Sequence, residues 1–335
     1  MLIKGNEVKT VAIVGVGVIG AGWAARCLHR GIDVYATDPG PDSQSLLMEV
    51  VNNAESALGR VVQIPEEKKG KLIFTKNLKE AVENADYIQE SAPEVENIKI
   101  AILNDIDKYA RPDALIGTST SGLLPSKLQA EMTHPERLIV AHPFNPVYIL
   151  PLVEVCGGEK TSGEAIENAM EFHKIVGMKP LHVRNEIDGF IADRLLEALW
   201  REILHLVNDD IATTKEIDDA ITYGAGLRWA VMGTNMTYYL AGGKKGMKHF
   251  MEQFGPTLKL PWTHMEAPEL TDELIDKMVV GTSEQGEGKD LRELETLRDN
   301  CLVSIMEALA VYDQSAGHVL SEDRKTQKER LGLDT

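Results

Sequence analysis

Val11-Ala-Ile-Val-Gly15-Val-Gly17-Val-Ile-Gly20 is the stretch that decides how the rest of the chain is read. Four apolar residues run into Gly15-x-Gly17-x-x-Gly20, and Ala21-Gly-Trp-Ala-Ala-Arg-Cys-Leu28 behind them suits a helix. A strand buried on both faces of a parallel sheet reads as an unbroken apolar run. Glycines let the backbone turn tightly and approach a pyrophosphate, and the helix that follows supplies amide donors and a positive dipole end. A second apolar run, Ile32-Asp-Val-Tyr-Ala-Thr37, ends in Asp38, about twenty residues on, where a ribose-binding acid is expected. Such an acid accepts from the 2′-hydroxyl of NAD and repels the 2′-phosphate of NADP. The glycines alone also open α/β units that bind S-adenosylmethionine or no nucleotide. Strand, glycines, helix and acid in this order point to NAD, with Gly15, Gly17, Val18, Ile19, Gly20 and Asp38 as the cofactor-binding set.

Working outward, strands alternate with helices as far as Val183. A helix is expected over Asp42 to Val62, and short strands at Leu72, Tyr87, Ala114, Leu138 and Leu152. Helices are expected between them over Leu78 to Asn84 and Ile98 to Tyr109. A last helix and strand, Ser162 to Val176 and Leu181 to Val183, close the pattern. This predicts a Rossmann-type, doubly wound parallel sheet with helices on both faces, followed by an all-α domain. Ligands sit at the carboxyl ends of strands in such sheets, which puts Gly15, Asp38, Glu94, Ser121 and His142 on one rim. After Gly189 only helical patterns follow: Phe190 to Asn208, Thr214 to Tyr223, Lys245 to Phe254, Thr271 to Val280 and Leu291 to Gln314. Ser283 to Gly288 reads as a loop. The expected domains are 1–187, 188–320 and a charged tail over 321–335.

Composition narrows the partners. The formal net charge of -17 argues against nucleic acid and anionic membrane surfaces. Cys27, Cys156 and Cys301 form no CxxC pair, and the histidines show no metal-ligand spacing, so no metal is expected. With no leader and no membrane span legible, a reducing cytoplasm is the expected compartment. His142 ends a strand, titrates near neutrality and suits proton abstraction from an alcohol, with Glu154 to fix its tautomer and Ser121 to hold the reacting oxygen. From spacing alone, a strand-end histidine capped by an acid is an equal reading.

The set Gly15-x-Gly17-x-x-Gly20, Asp38, Thr120-Ser121, His142-Pro-Phe-Asn145-Pro146, Leu152-Val-Glu154-Val155 and Gly189-Phe190 resembles the 3-hydroxyacyl-CoA dehydrogenase family over nearly the whole chain. Gly226-Leu-Arg228-Trp229-Ala is similar to the branch acting on free 3-hydroxy acids. The Asp38–Leu72 segment lacks the lysine-rich face that a CoA diphosphate wants. The resemblance implies oxidation of a secondary alcohol beta to a carboxylate, with NAD as hydride acceptor and a homodimer built on the helical domain. It makes His142 the general base, Glu154 its orienting partner and Ser121 a substrate ligand. Ser119, Asn145, Glu94 and Lys99 are implied around the nicotinamide and its ribose. The implied substrate is zwitterionic L-carnitine, with L-gulonate or another short 3-hydroxy acid as alternative, and a crystallin-like NADH-binding protein without catalysis as the rival of another class. Arg228 would fork the carboxylate. Phe144, Trp229 and Tyr238 would face the trimethylammonium. Asp193 stands where the family usually has asparagine, and is expected either to lend negative potential to that cation or to pair with Arg194 or Arg201.

Overall fold

The computed structural model describes residues 1–61, 66–209, 211–229, 232–263 and 271–290, with 293, 294, 297, 304, 305, 307–313 and 321. The expected tail beyond 321, Cys301, and parts of the expected helix over Leu291 to Gln314 lie outside the described residues. The chain divides into two compact units, Met1–Leu196 and Glu197–Thr335.

In the first unit eight strands form one sheet: β1 (Thr10–Val14), β2 (Asp33–Thr37), β3 (Leu72–Thr75), β4 (Tyr87–Glu90), β5 (Leu115–Thr118), β6 (Leu138–Pro143), β7 (Leu152–Gly157) and β8 (Lys179–Val183). Their order is β3-β2-β1-β4-β5-β6-β7-β8. The helices of this unit are α1 (Val18–Leu28), α2 (Ser43–Val61), α3 (Leu78–Val82), α4 (Glu96–Tyr109), α5 (Pro125–Leu128) and α6 (Gly163–Ile175). Side chains alternate across a strand, so β1 feeds two cores. Val11 and Ile13 pack with Trp23 and Ala24 of α1 and Phe172 of α6. Ala12 and Val14 pack on the other face with Val82 of α3 and Leu103 and Ile106 of α4. This is the expected doubly wound arrangement, and each fully buried Leu or Ile contributes roughly 1.5–3 kcal/mol.

The chain runs from β1 outward to β2 and β3, then returns to place β4 on the other side of β1. That reversal opens a crevice above the carboxyl ends of β1 and β4. One feature departs from a purely parallel sheet. β7 runs antiparallel to β6, and β8 is parallel to β7. Residues 144–151 are too few for the crossover of a dozen or more that parallel pairing needs, so the chain turns straight back.

The helix α7 (Ala192–Asn208) crosses from the first unit into the second and buries none of its residues. Its apolar side chains Leu195, Leu196, Trp200, Leu204 and Val207 are exposed. The second unit is helical throughout its described residues: α8 (Thr214–Ala220), a π-helical turn over Ile221–Ala225, α9 (Gly226–Trp229), α10 (Thr234–Ala241), α11 (Gly246–Phe254) and α12 (Asp272–Gln285). Thr213 and Glu216 close a reciprocal capping box at the start of α8. Some elements differ from the sequence reading: α5, α9 and α10 were not expected as helices, and α12 runs on past Val280 through Ser283–Gln285, where a loop was expected. Among the described residues no helix is long and apolar enough to cross a membrane.

Candidate active site

The crevice at β1 and β4 is shaped for a nucleotide. Gly15 has φ +92°, and a Cβ there would lie 2.6 Å from the Ser91 carbonyl oxygen. At Gly20 a Cβ would come within 1.9 Å of the Gly15 carbonyl oxygen, so only glycine lets α1 pack this close to the turn. Gly17 caps α1, and no atom lies within 4 Å of its missing Cβ, which leaves room for a phosphate at the helix N-terminus. Asp38 follows β2 directly, with one oxygen accepting from Val16 N at 3.0 Å and the other from Gly40 N at 2.8 Å. Each carboxylate oxygen retains a lone pair for a ribose diol. The donor set and the glycine cradle therefore fit a dinucleotide.

Beside the crevice a cavity of about 290 Å³ is lined by Ile19, Ser91, Glu94, Lys99, Ser119, Ser121, His142 and Pro143, among others. One of these residues, Lys99, belongs to a buried ion pair. Lys99 Nζ, whose side chain is 1% exposed, lies 2.9 Å from Glu90 Oε1, whose side chain is 0% exposed. Lys99 also donates to the Ala92 carbonyl at 3.0 Å, and Glu90 accepts from the Thr118 hydroxyl. Glu94 Oε2 is 3.5 Å from Lys99 Nζ. Its other oxygen accepts from the Thr120 hydroxyl and from the amides of Ser121 at 2.9 Å and Gly122 at 3.3 Å. Burial pushes the Glu94 carboxyl up, but the Thr120 hydroxyl, the Lys99 charge and the two amides outweigh it and hold the group below its ordinary range. Glu94 thus stays charged and clamps the loop that carries Ser121.

The proton-handling pair follows from strand register. Antiparallel pairing sets His142 of β6 directly opposite Glu154 of β7. His142 Nδ1 is 2.9 Å from Glu154 Oε2, with side-chain exposures of 7% and 0%. The other oxygen, Oε1, accepts from the amides of Ile191 at 2.9 Å and Ala192 at 3.0 Å, at the start of α7. An ionised carboxylate only accepts, so Nδ1 carries the proton and Nε2 of the neutral ring keeps a lone pair. The rings of Phe144 and Phe190 lie 4.8 and 5.9 Å from the imidazole. On the Nε2 side stands Asp193 Oδ2, at 3.7 Å, its side chain 28% exposed.

Nearly all the residues singled out from the sequence in the first unit meet around this cavity or crevice. Val18 is exposed at the start of α1, and Asn145 is exposed in the turn after β6. Arg228, Trp229 and Tyr238 belong to the second unit, where all three are exposed and Tyr238 stacks on Phe250 at 4.5 Å. Sequence reading missed Glu90 and Ser91. The signal present was a polar pair, Gln89-Glu90, inside a strand buried along its length. Among the described residues no cluster of three or more His, Cys, Asp or Glu is placed to hold a metal.

Comparison with known proteins agrees with this fold. Residues 10–187 match the model of the 3-hydroxyacyl-CoA dehydrogenase NAD binding domain, and residues 189–289 that of the C-terminal domain. The chain is 57% identical to an L-carnitine dehydrogenase of Pseudomonas putida over 94% of its own length and 98% of that protein. It is 50% identical to an L-carnitine dehydrogenase of Oceanobacillus iheyensis, over 91% and 99%. Among solved structures, an NAD+-dependent 5-formyl-3-hydroxy-2-methylpyridine 4-carboxylic acid 5-dehydrogenase matches with a TM-score of 0.69 at 26% identity, covering 90% of this chain and 98% of that one.

Proposed function

The chain belongs to the 3-hydroxyacyl-CoA dehydrogenase family, and from that premise we propose that it oxidises the 3-hydroxyl of L-carnitine to the ketone. It is an NAD-dependent dehydrogenase, and bound NAD supplies the hydride acceptor. The remaining work falls to the chain. His142 Nε2 takes the hydroxyl proton as hydride leaves the same carbon, so the alcohol loses one hydride and one proton and becomes a carbonyl. Glu154 holds the tautomer that keeps Nε2 basic and stabilises the imidazolium that forms, while its second oxygen is anchored on α7. The Ser121 hydroxyl orients the reacting oxygen, and the loop carrying it is fixed by Glu94. Phe144 and Phe190 crowd water away from the ring.

The observation that carries this reading is His142, paired with the buried Glu154, on the wall of a cavity that Ser121 also lines. The names of the relatives support carnitine. Asp193 supports it further, because carnitine bears its ammonium one carbon from the alcohol carbon, and a carboxylate beside Nε2 favours a cation there. Arg228 is the proposed fork for the substrate carboxylate, with Trp229 and Tyr238 as proposed aromatic contacts of the ammonium. We also propose a homodimer that covers the exposed apolar side of α7 with a second copy, and a reducing cytoplasm, in keeping with the free thiols Cys27 and Cys156. Sedimentation of the purified chain tests the dimer.

NADH formation from NAD with L-carnitine, D-carnitine, L-gulonate and 3-hydroxybutyrate tests the activity. Turnover confined to L-carnitine is expected. Turnover on gulonate or 3-hydroxybutyrate instead removes the ammonium pocket while leaving the His142 chemistry. Absence of turnover with NADH bound removes the catalytic reading.

A further inference from the structure

Ser119, on the wall of the cavity, is the hub of a hydrogen-bond chain whose direction follows atom by atom. Gln89 Nε2 lies 3.3 Å from the Ala141 carbonyl, which only accepts, so the amide nitrogen faces it. The second proton of that nitrogen goes to Ser119 Oγ at 2.7 Å. Trp23 Nε1, which only donates, reaches the same Oγ at 3.2 Å. Two incoming donors fill both lone pairs of the Ser119 hydroxyl. Its own proton therefore goes to Ser91 Oγ, 2.9 Å away. Ser91 accepts that bond and still has its own proton to give, and it lines the cavity. The chain is supported from behind by the Tyr87 hydroxyl, which donates to Gln89 Oε1 at 2.8 Å and keeps its proton because burial pushes the phenol well above its usual range. Hydrogen bonds aligned in one direction polarise one another, so the last donor is the strongest.

The place of that last donor selects its acceptor. Ser91 follows β4 directly, at the reversal of strand order, and its carbonyl is what bars a side chain at Gly15. A dinucleotide crosses the sheet at that reversal. We infer that Ser91 donates its hydroxyl proton to a phosphate or ribose oxygen on the nicotinamide side of bound NAD. Ser119 is then a positioning residue, which aims Ser91 rather than touching the ligand through its hydroxyl.

The substitution Ser91→Ala tests this with binding alone. NADH is titrated by its fluorescence, and ADP-ribose and AMP by calorimetry. ADP-ribose retains the phosphates and the second ribose without the nicotinamide, and AMP lacks that whole half. Loss of one hydrogen bond to such an oxygen is expected to weaken NADH and ADP-ribose by about five- to ten-fold and to leave AMP unchanged. Three outcomes overturn the inference: NADH binding that stays within about two-fold of the unaltered protein, whatever happens to the carnitine KM; weakening of NADH without ADP-ribose; or equal weakening of AMP.

Discussion

Replacing Asp193 with asparagine is the most informative single change, because it separates recognition of charge from the chemistry beside it. Asp193 Oδ2 stands 3.7 Å from His142 Nε2, the atom assigned to take the hydroxyl proton. In carnitine the oxygen and the quaternary nitrogen sit on adjacent carbons, so with the hydroxyl at hydrogen-bond distance from Nε2 and the ammonium turned toward Asp193 the separation of cation and carboxylate is about 5 Å. At about 5 Å, two unit charges attract by about 3 kcal/mol at an effective dielectric of about 20, and by about half that once the partial exposure of Asp193 is allowed for. Asp193→Asn is therefore expected to lower kcat/KM for L-carnitine by about ten- to a hundred-fold. The control is the uncharged isostere in which carbon replaces the quaternary nitrogen, 3-hydroxy-5,5-dimethylhexanoate. Its kcat/KM is expected to change by less than about three-fold, because no charge pair is lost. Initial rates of NADH formation with both substrates give the ratio directly. If both fall by the same factor, Asp193 acts on His142 or on the fold and not on the cation, and the reasoning fails.

Glu154→Gln is expected to cut kcat by about 10²- to 10⁴-fold with NADH affinity unchanged, since the amide cannot enforce the Nδ1–H tautomer; single-turnover kinetics and fluorescence titration check the two halves. Lys99→Met strips the buried Glu90 of its counter-charge and is expected to destabilise the protein by about 3–5 kcal/mol, read as a lowered urea midpoint. His173 adds a pH dependence of known sign. Burial first, and then the Arg26 charge, lower its pKa from 6.5 to about 3. The unfolded chain therefore takes up this proton first as pH falls. The His173 contribution is intact above about pH 6.5 and is lost at about 1.4 kcal/mol per pH unit as pH drops toward 3. Urea midpoints at pH 7, 6 and 5 are expected to fall less steeply in His173→Phe than in the unaltered chain.

Much of the protein is local enough to be legible in its sequence. The turn at Gly15, the close approach at Gly20 and the acid at Asp38 are demands of backbone geometry on particular residue types, and those demands leave a written pattern. The apolar runs of β1, β5 and β6 announce strands buried on both faces, and the sheet that follows from them puts their ends on one rim. Family resemblance implies roles for His142, Glu154 and Ser121 that spacing alone left undecided. What spacing could not supply is pairing. The contact of His142 with Glu154 depends on β7 turning back against β6 in one register, and a slip of a single residue would send the Glu154 side chain to the opposite face of the sheet. Asp193 stands beside Nε2 on the first turn of α7, a helix whose start donates two amides to Glu154. The ion pair of Lys99 with Glu90 and the directed chain from Gln89 to Ser91 join residues of separate elements. Hydrogen-bond direction is set by which donors and acceptors converge on one oxygen, and that convergence exists only in the folded chain.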